Sequence, residues 1–354
     1  MTDSGPTGAD SFEAHGGWPG VLTTLTDGDD LGVELAQGVM EQILSGAATS
    51  AQIAAVIIAL RMKGESTNEM TGMVRAMQGA CVPISLTVDA IDVVGTGGSP
   101  TLRKAALNVS TMAAFVVAGA GVPVCKHGNR KASSTSGSFD VLEALGVSID
   151  TTPALVARCV AEAGVGFCFA RAFHPAMRHA GPVRVELGVP TVFNVLGPLS
   201  NPARVTRQVV GVADGSLAER MIGVLRNNGS VRSMVVHGTD GLDEISTTAP
   251  TDVFELRDGD ITKYQIDPGA LGIRPASVDD LVGGDADRNA EIVGEVLGGV
   301  PGARRDIVVL NAAAGLVVGG AADDLETGLE LAAASIDGGR ATVALEKLVA
   351  ITNG

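Results

Sequence analysis

The sequence predicts an α/β protein in two parts, a small N-terminal helical lobe and a large lobe built on a mixed, largely parallel sheet. Three observations carry this. Residues 20–79 place apolar side chains at helical spacing with no strand pattern between them. From Ala90 onward, short β-branched runs alternate with Ala-rich helical stretches. The chain of 354 residues also exceeds what one hydrophobic core usually holds, so two lobes with a cleft between them are expected.

Taken in order, residues 1–17 contain Gly, Asp and Ser without an apolar h-region and read as a disordered tail rather than a signal peptide. The helical lobe covers 18–85. Within it Leu35, Val39, Ile43 and Leu44 recur at helical spacing, Thr49 or Ser50 offers a cap to AQIAAVIIALRMKG, and residues 65–77 repeat the pattern. The α/β lobe covers 86–354. It opens with the strand AIDVV, the helix NVSTMAAFVVAGAG, the strand VPVCK and the helix SFDVLEALGV. Further strand candidates are VGFCFA, RQVVGVA, SMVVHG and DIVVLN, the last from Asp306, with SLAERMIGVLRNNG as a helix among them. Residues 251–269 show the alternation and Asp-Gly turn of an antiparallel hairpin. The Pro-rich stretch near 174–200 fits neither rhythm and is expected to lead the chain back beside the helical lobe.

The formal charge of −15 argues against non-specific attraction to nucleic acid or to an anionic membrane, and an anionic ligand would need a local basic pocket. Cys81, Cys125, Cys159 and Cys168 lack CxxC spacing and lie in or beside apolar runs, as buried free thiols do. No uninterrupted segment reaches transmembrane length, and a cytoplasmic location is the expectation.

Three clusters carry chemistry. Residues 92–99, DVVGTGGS, run a strand into Gly95, Thr96, Gly97, Gly98 and Ser99, where a backbone without Cβ atoms lets amide groups approach a phosphate. Such a turn also occurs wherever an α/β loop needs glycine for its geometry. Asn108, Val109, Ser110 and Thr111 follow at a helix start, where orphan amides favour an anion. Residues 126–134, KHGNRKASS, pack Lys126, His127, Asn129, Arg130, Ser133 and Ser134 directly after an apolar strand, at the end that opens on ligand crevices in α/β proteins. Their serines, with Ser136, would equally serve as caps for the next helix. The third cluster, HGTDGLDEIS, places Asp240, Asp243 and Glu244 at a strand end; adjacent carboxylates suit magnesium, which takes one or two carboxylates plus substrate phosphates, although a solvated acidic loop has the same composition. Arg184 offers a planar fork to a carboxylate, and the residues after it, Asn194, Pro198, Asn201 and Pro202, are too rigid for an ordinary helix.

In order and spacing, GTGG, NxST, KHGNRxxSSxxGSxDVLEALG, LGxxTxFNxLGPLxNPA and VVHGxDGLDE resemble the anthranilate phosphoribosyltransferases of tryptophan biosynthesis. The resemblance spans nearly all of the chain after the tail. It implies a nucleoside phosphorylase/phosphoribosyltransferase-like fold, a homodimer, and transfer of a phosphoribosyl group from 5-phosphoribosyl pyrophosphate to the amine of anthranilate with Mg2+. It further implies that Gly95, Thr96, Gly97, Gly98 and Ser99 approach the phosphoribosyl pyrophosphate. Asn108, Val109, Ser110, Thr111, Lys126, His127, Gly128, Asn129, Arg130, Lys131, Ala132, Ser133 and Ser134 would wrap its phosphates, with Ser138 nearby. Ser110, Asp243 and Glu244 would bind magnesium, and Asn129 and Arg184 would face anthranilate, so that Lys126, Asn129 and Arg184 carry the catalysis. One departure stands out: the family's glycine loop usually ends GTGGD, whereas here Ser99 replaces the acid and a longer segment with Arg103 and Lys104 precedes Asn108, with Ala106 where a Thr is usual. Arg103 or Lys104 is therefore expected to help hold pyrophosphate. The alternatives are a pyrimidine-type nucleoside phosphorylase and a non-catalytic nucleic-acid-binding relative.

Overall fold

A computed structural model describes residues 7–99, 107–130 and 136–354. Arg103, Lys104 and Ala106, and Lys131, Ala132, Ser133 and Ser134, lie outside the described residues.

The first lobe is made of α1 (Gly8–Ala14), α2 (Gly17–Thr26), α3 (Val33–Ser45), α4 (Ser50–Lys63) and α5 (Thr67–Ala80). Reciprocal capping boxes start three of them: Thr7 with Asp10, Thr49 with Gln52, and Ser66 with Glu69. The first box corrects one expectation. Part of the stretch read as a disordered tail is the helix α1, because Thr7 and Asp10 satisfy its first amides and Phe12 is buried, edge-on to Trp18 at 5.4 Å.

The second lobe runs β1 (Asp92–Gly95), α6 (Val109–Gly119), β2 (Val124–Gly128), α7 (Ser138–Ala144), α8 (Pro153–Ala163) and β3 (Val165–Phe169). After β3 the chain forms α9 (Ala170–Phe173), α10 (Gly181–Leu187) and α11 (Phe193–Leu196), then re-enters the sheet as β4 (Arg207–Gly211), α12 (Ala218–Asn227), β5 (Arg232–Gly238), β6 (Thr251–Arg257) and β7 (Asp260–Ile266). The helices α13 (Ala286–Leu297), α14 (Ala303–Gly319), α15 (Leu325–Asp337) and α16 (Arg340–Asn353) close it. The main sheet has the order β1-β4-β5-β6-β7, parallel through β5 and antiparallel in the β6–β7 hairpin. β2 and β3 form a separate parallel pair, joined to the main sheet at one bridge, Ile91 to Val124.

Strand periodicity fixes what each face of the main sheet covers. Val93, Val209, Met234, Val236 and Val253 point into the core shared with α6 and α14, while Val94, Val210, Val235 and Phe254 point into the core of the helical lobe. The two lobes therefore share the sheet. Ala180, Val183, Val192, Phe193, Leu196 and Leu199 of the return segment join the helical-lobe core as well.

A second expectation is corrected at DIVVLN. These residues lie inside the 17-residue helix α14 rather than a strand. The helix is buried on all sides from Ile307 to Val318, so its apolar run shows no amphipathic period, and four residues of β-branched or Leu side chain look like a buried strand.

Glu69 binds the start of the helical lobe together. Its carboxylate, fully buried, accepts from the Leu31 amide at 3.0 Å, the Ser66 amide at 2.7 Å and Lys63 Nζ at 3.0 Å, and Lys63 also pairs with Asp30. Glu69→Ala is expected to destabilise the fold by about 3 kcal/mol, because it strands two amides and leaves Lys63 with Asp30 as its one carboxylate partner, and Glu69→Gln by clearly less. Thermal unfolding of the two variants checks this; equal losses would show that the carboxylate charge is immaterial.

Candidate active site

The parallel strands β1, β2, β4 and β5 end at Gly95, Gly128, Gly211 and Gly238, and the three sequence clusters meet at that edge. Two glycines are required there by packing. A Cβ on Gly211 would lie 1.7 Å from the Asp243 carbonyl oxygen, and one on Gly95 would lie 2.5 Å from Asp243 Oδ2. The acidic loop can nest against the ends of β1 and β4 only because both positions lack a side chain.

That nesting is held by hydrogen bonds. The Gly97 amide donates to Asp243 Oδ2 at 2.7 Å, Ser99 Oγ donates to the Gly241 carbonyl at 2.8 Å, and the Thr96 amide donates to the Gly211 carbonyl at 2.9 Å. Asn311 of α14 fixes the loop from behind, accepting from the Ile245 amide and donating to its carbonyl, both at 2.9 Å. Asn108 immediately precedes α6, and its side chain accepts from Asn289 of α13 at 2.8 Å rather than capping the helix. The next turn brings the Ser110 amide to the Glu244 carboxylate, so Ser110, Asp243 and Glu244 share one corner. Val109 and Thr111 are buried beneath it.

Lys126 and His127 are buried at the end of β2. Lys126 Nζ donates to the Val93 carbonyl at 2.7 Å and lies across from three carboxylates. Burial pulls its pKa down, and Asp92, Glu244 and Asp243 pull it back up. Burial raises Asp243 against the Gly97 hydrogen bond, and Glu244 is pushed up to about 8 by burial and by the charge of Asp243. His127 Nδ1 faces the Gly197 carbonyl at 3.0 Å, which places the proton on Nδ1 and leaves Nε2 as an acceptor. Burial first, then His174 and Lys126, hold His127 down at about 3; His174, its ring 5.1 Å away, is held at about 4 by burial.

Not every predicted residue turns toward this corner. Arg130 is engaged by α7, at 3.3 Å from Asp140 and 2.7 Å from Glu143. Ser138 Oγ donates to the Asn129 carbonyl at 3.1 Å, and a Cβ on Gly128 would meet that hydroxyl at 2.5 Å, so this junction of strand and helix is tightly packed. Arg184, on α10, lies with its guanidinium 5.2 Å from the centre of the Phe193 ring and 3.5 Å from Asn194 Oδ1, and burial lowers its pKa. The segment that carries it reaches the KHGN strand through Gly197 and Asn201. Asp92, Asn201 and His174 join the site without standing among the residues expected to form it. The signal available was a charged residue opening the otherwise apolar strand DVV.

Among the described residues no three His, Cys, Asp or Glu side chains gather into a metal cage. Two half-buried neighbouring carboxylates whose ionisation burial opposes nonetheless suit a hard divalent cation that takes its other ligands from a substrate. Family models match in both lobes, a glycosyl transferase family helical bundle domain over residues 19–81 and the a/b domain of the same family over 87–342. The anthranilate phosphoribosyltransferase of Rhodopseudomonas palustris (strain BisB18) is 50% identical over 94% of this chain and 97% of its own length. The chain belongs to the anthranilate phosphoribosyltransferase family. A crystal structure of the anthranilate phosphoribosyltransferase from Thermus thermophilus superposes with a TM-score of 0.89 at 40% identity, covering 94% of this chain and 99% of that one. The Saccharomyces cerevisiae enzyme, solved in complex with PRPP and Mg, superposes at 0.80 with 26% identity over 98% and 94% of the two chains. The two-lobed α/β fold with a mixed, mostly parallel sheet is thus the fold of the anthranilate phosphoribosyltransferases.

His127 and His174 are both depressed below the usual imidazole value. The unfolded chain takes up protons that the fold refuses, so the stability lent by these neutral rings is present above about pH 6.5 and lost as pH falls toward the folded values. Of the five histidines, these two are expected to show ring-proton NMR shifts that stay constant from about pH 8 to pH 5. A midpoint between pH 6 and 7 for either ring would contradict the burial argument.

Proposed function

We propose that this chain transfers the phosphoribosyl group of 5-phosphoribosyl pyrophosphate to the amine of anthranilate, releasing pyrophosphate. The observation that carries the reading is the corner where Ser110, Asp243 and Glu244 meet beside buried Lys126, in a chain of this family. Displacement at the anomeric carbon develops negative charge on the departing pyrophosphate. Lys126 supplies a cation at that point, in a site from which water is largely excluded and where its charge acts strongly. With the Thr96 and Gly97 amides spent on holding the two loops together, the backbone of the glycine loop beyond Gly97 binds phosphate oxygens, and the close nesting of the loops sets its position. Mg2+, when bound by Ser110, Asp243 and Glu244, adds positive charge to the pyrophosphate.

Arg184 holds the anthranilate carboxylate and Asn129 orients its amine, so that nucleophile and sugar are brought into line. His127, buried with a neutral ring bonded to the Gly197 carbonyl, sets the return segment against the KHGN strand. No strong general base is required, because an aromatic amine is already neutral near pH 7. Uridine phosphorolysis, the rival within the fold, is disfavoured by the carboxylate pair and by the family of the relatives.

Loss of anthranilate fluorescence on mixing with 5-phosphoribosyl pyrophosphate and Mg2+ tests substrate and donor together. Asp243→Ala and Glu244→Ala are each expected to lower kcat/KM by about 100-fold. No fluorescence loss with the parent chain would sink the assignment.

The reading includes a cytoplasmic homodimer. The homodimer is supported by the apolar side chains that α4 and α10, packed on each other, leave outside: Met62 is 84% exposed and Val185 83%. Light scattering is expected to give twice the chain mass, and Met62→Glu with Val185→Glu to give the monomer; a monomeric parent chain would rule this out.

A further inference from the structure

We infer that Asp92 and Asn201 are positioning residues that hold the peptide units on both sides of Lys126, replacing the strand pairing that stops there. The inference rests on the proposed phosphoribosyl transfer.

β1 and β2 begin as a parallel pair. The Ile91 amide donates to the Pro123 carbonyl and the Cys125 amide to the Ile91 carbonyl, both at 2.9 Å. A continued ladder would join the His127 amide to the Val93 carbonyl, since residues two apart on a strand face the same neighbour. Instead each group finds a side chain. The His127 amide donates to Asp92 Oδ1 at 3.2 Å, and the Val93 carbonyl accepts from Lys126 Nζ. The strands part at this point, and the ammonium occupies the parting.

Asn201 completes the clamp. Its Nδ2 donates to Asp92 Oδ2 and to the Cys125 carbonyl, both at 2.8 Å, while its Oδ1 accepts from the Ala203 amide at 2.9 Å. Asp92 and Asn201 are buried, so each of these partners would be stranded without the other. The carbonyl before Lys126 and the amide after it are thereby fixed by one carboxylate–carboxamide pair. Asn201 sits at the end of the segment whose Gly197 carbonyl receives the His127 ring, so the pair also sets the return segment against the KHGN strand. Asp92 adds a negative charge facing Lys126 from below, which favours the ammonium at a buried position. In Asp92→Asn one of the two acceptor oxygens becomes an NH2, which must oppose either the His127 amide or Asn201 Nδ2.

The test measures kcat in the fluorescence assay together with calorimetric binding of 5-phosphoribosyl pyrophosphate with Mg2+. Asp92→Asn and Asn201→Ala are each expected to lower kcat by about 10- to 100-fold, with binding stoichiometry unchanged and Kd within about threefold. The double variant should be no slower than the slower single one, because both act through the same clamp. Asn201→Ala leaves the Asp92–His127 bond in place and carries the test if Asp92→Asn does not fold. Gln208→Leu is the control: Gln208 Nε2 donates to the Pro198 carbonyl at 3.2 Å, so its loss loosens the same segment without touching the Lys126 peptides. Wild-type kcat in both single variants overturns the inference, as does an equal loss of kcat in Gln208→Leu. An inactive parent chain overturns the proposed reaction instead.

Discussion

The structure is organised around the burial of one ammonium. Lys126 sits among Asp92, Asp243 and Glu244, where the β1–β2 pairing gives way, and each neighbouring element is placed by what that charge requires. An isolated ammonium at this depth would be strongly disfavoured, so carboxylates must face it from the strand beneath and from the loop across. Three carboxylates against one cation leave the site short of positive charge. In the proposed reaction a divalent cation entering with the anionic donor would relieve this, and the corner of Ser110, Asp243 and Glu244 has the oxygen donors to suit it.

The same sheet serves two cores, and this links fold to function. Alternate residues of β1 and β4 bury Val93 and Val209 toward α6 and α14 and Val94 and Val210 toward the helical lobe. The loops at their C-terminal ends are thus anchored by both lobes. Removing side chains at Gly95 and Gly211 lets the acidic loop approach to contact distance, and Asn311, buried in α14, locks it there. The site is pre-organised by backbone contacts, which suits a reaction whose acceleration comes from positioning and fixed charge.

Much of this is legible in the sequence because it is encoded locally. The glycine loop, the start of α6, the KHGN strand and the DGLDE loop each follow a short apolar run with a turn signal, and each is read from a handful of consecutive residues. What escapes is non-local or uniform. Asp92 gains its meaning only when Asn201 is brought 2.8 Å away from 109 positions along the chain. Residues 306–311 read as a strand because a helix buried on every side loses the period that distinguishes it. α1 reads as tail because seven residues of mixed composition carry little signal beyond the Thr7–Asp10 box. Arg130 illustrates a different limit: its charge is readable, yet the two carboxylates of α7 that engage it lie 10 and 13 residues on and compete with any phosphate for it.

Ser99 shows how a departure from the family pattern is absorbed. Its hydroxyl is buried and donates to the Gly241 carbonyl, two residues before Asp243. A carboxylate at this position would present an acceptor to an acceptor, and would set a further acid beside Asp243 and Glu244, whose ionisation burial already opposes. Serine removes that repulsion and converts the position into a tie between the glycine loop and the acidic loop, parallel to the bond from the Gly97 amide to Asp243. With two ties rather than one, the backbone of the glycine loop is held by the loop across from it. The gain is in the geometry of the cradle, and the charge that the family's acid would have contributed is left to Asp243 and Glu244.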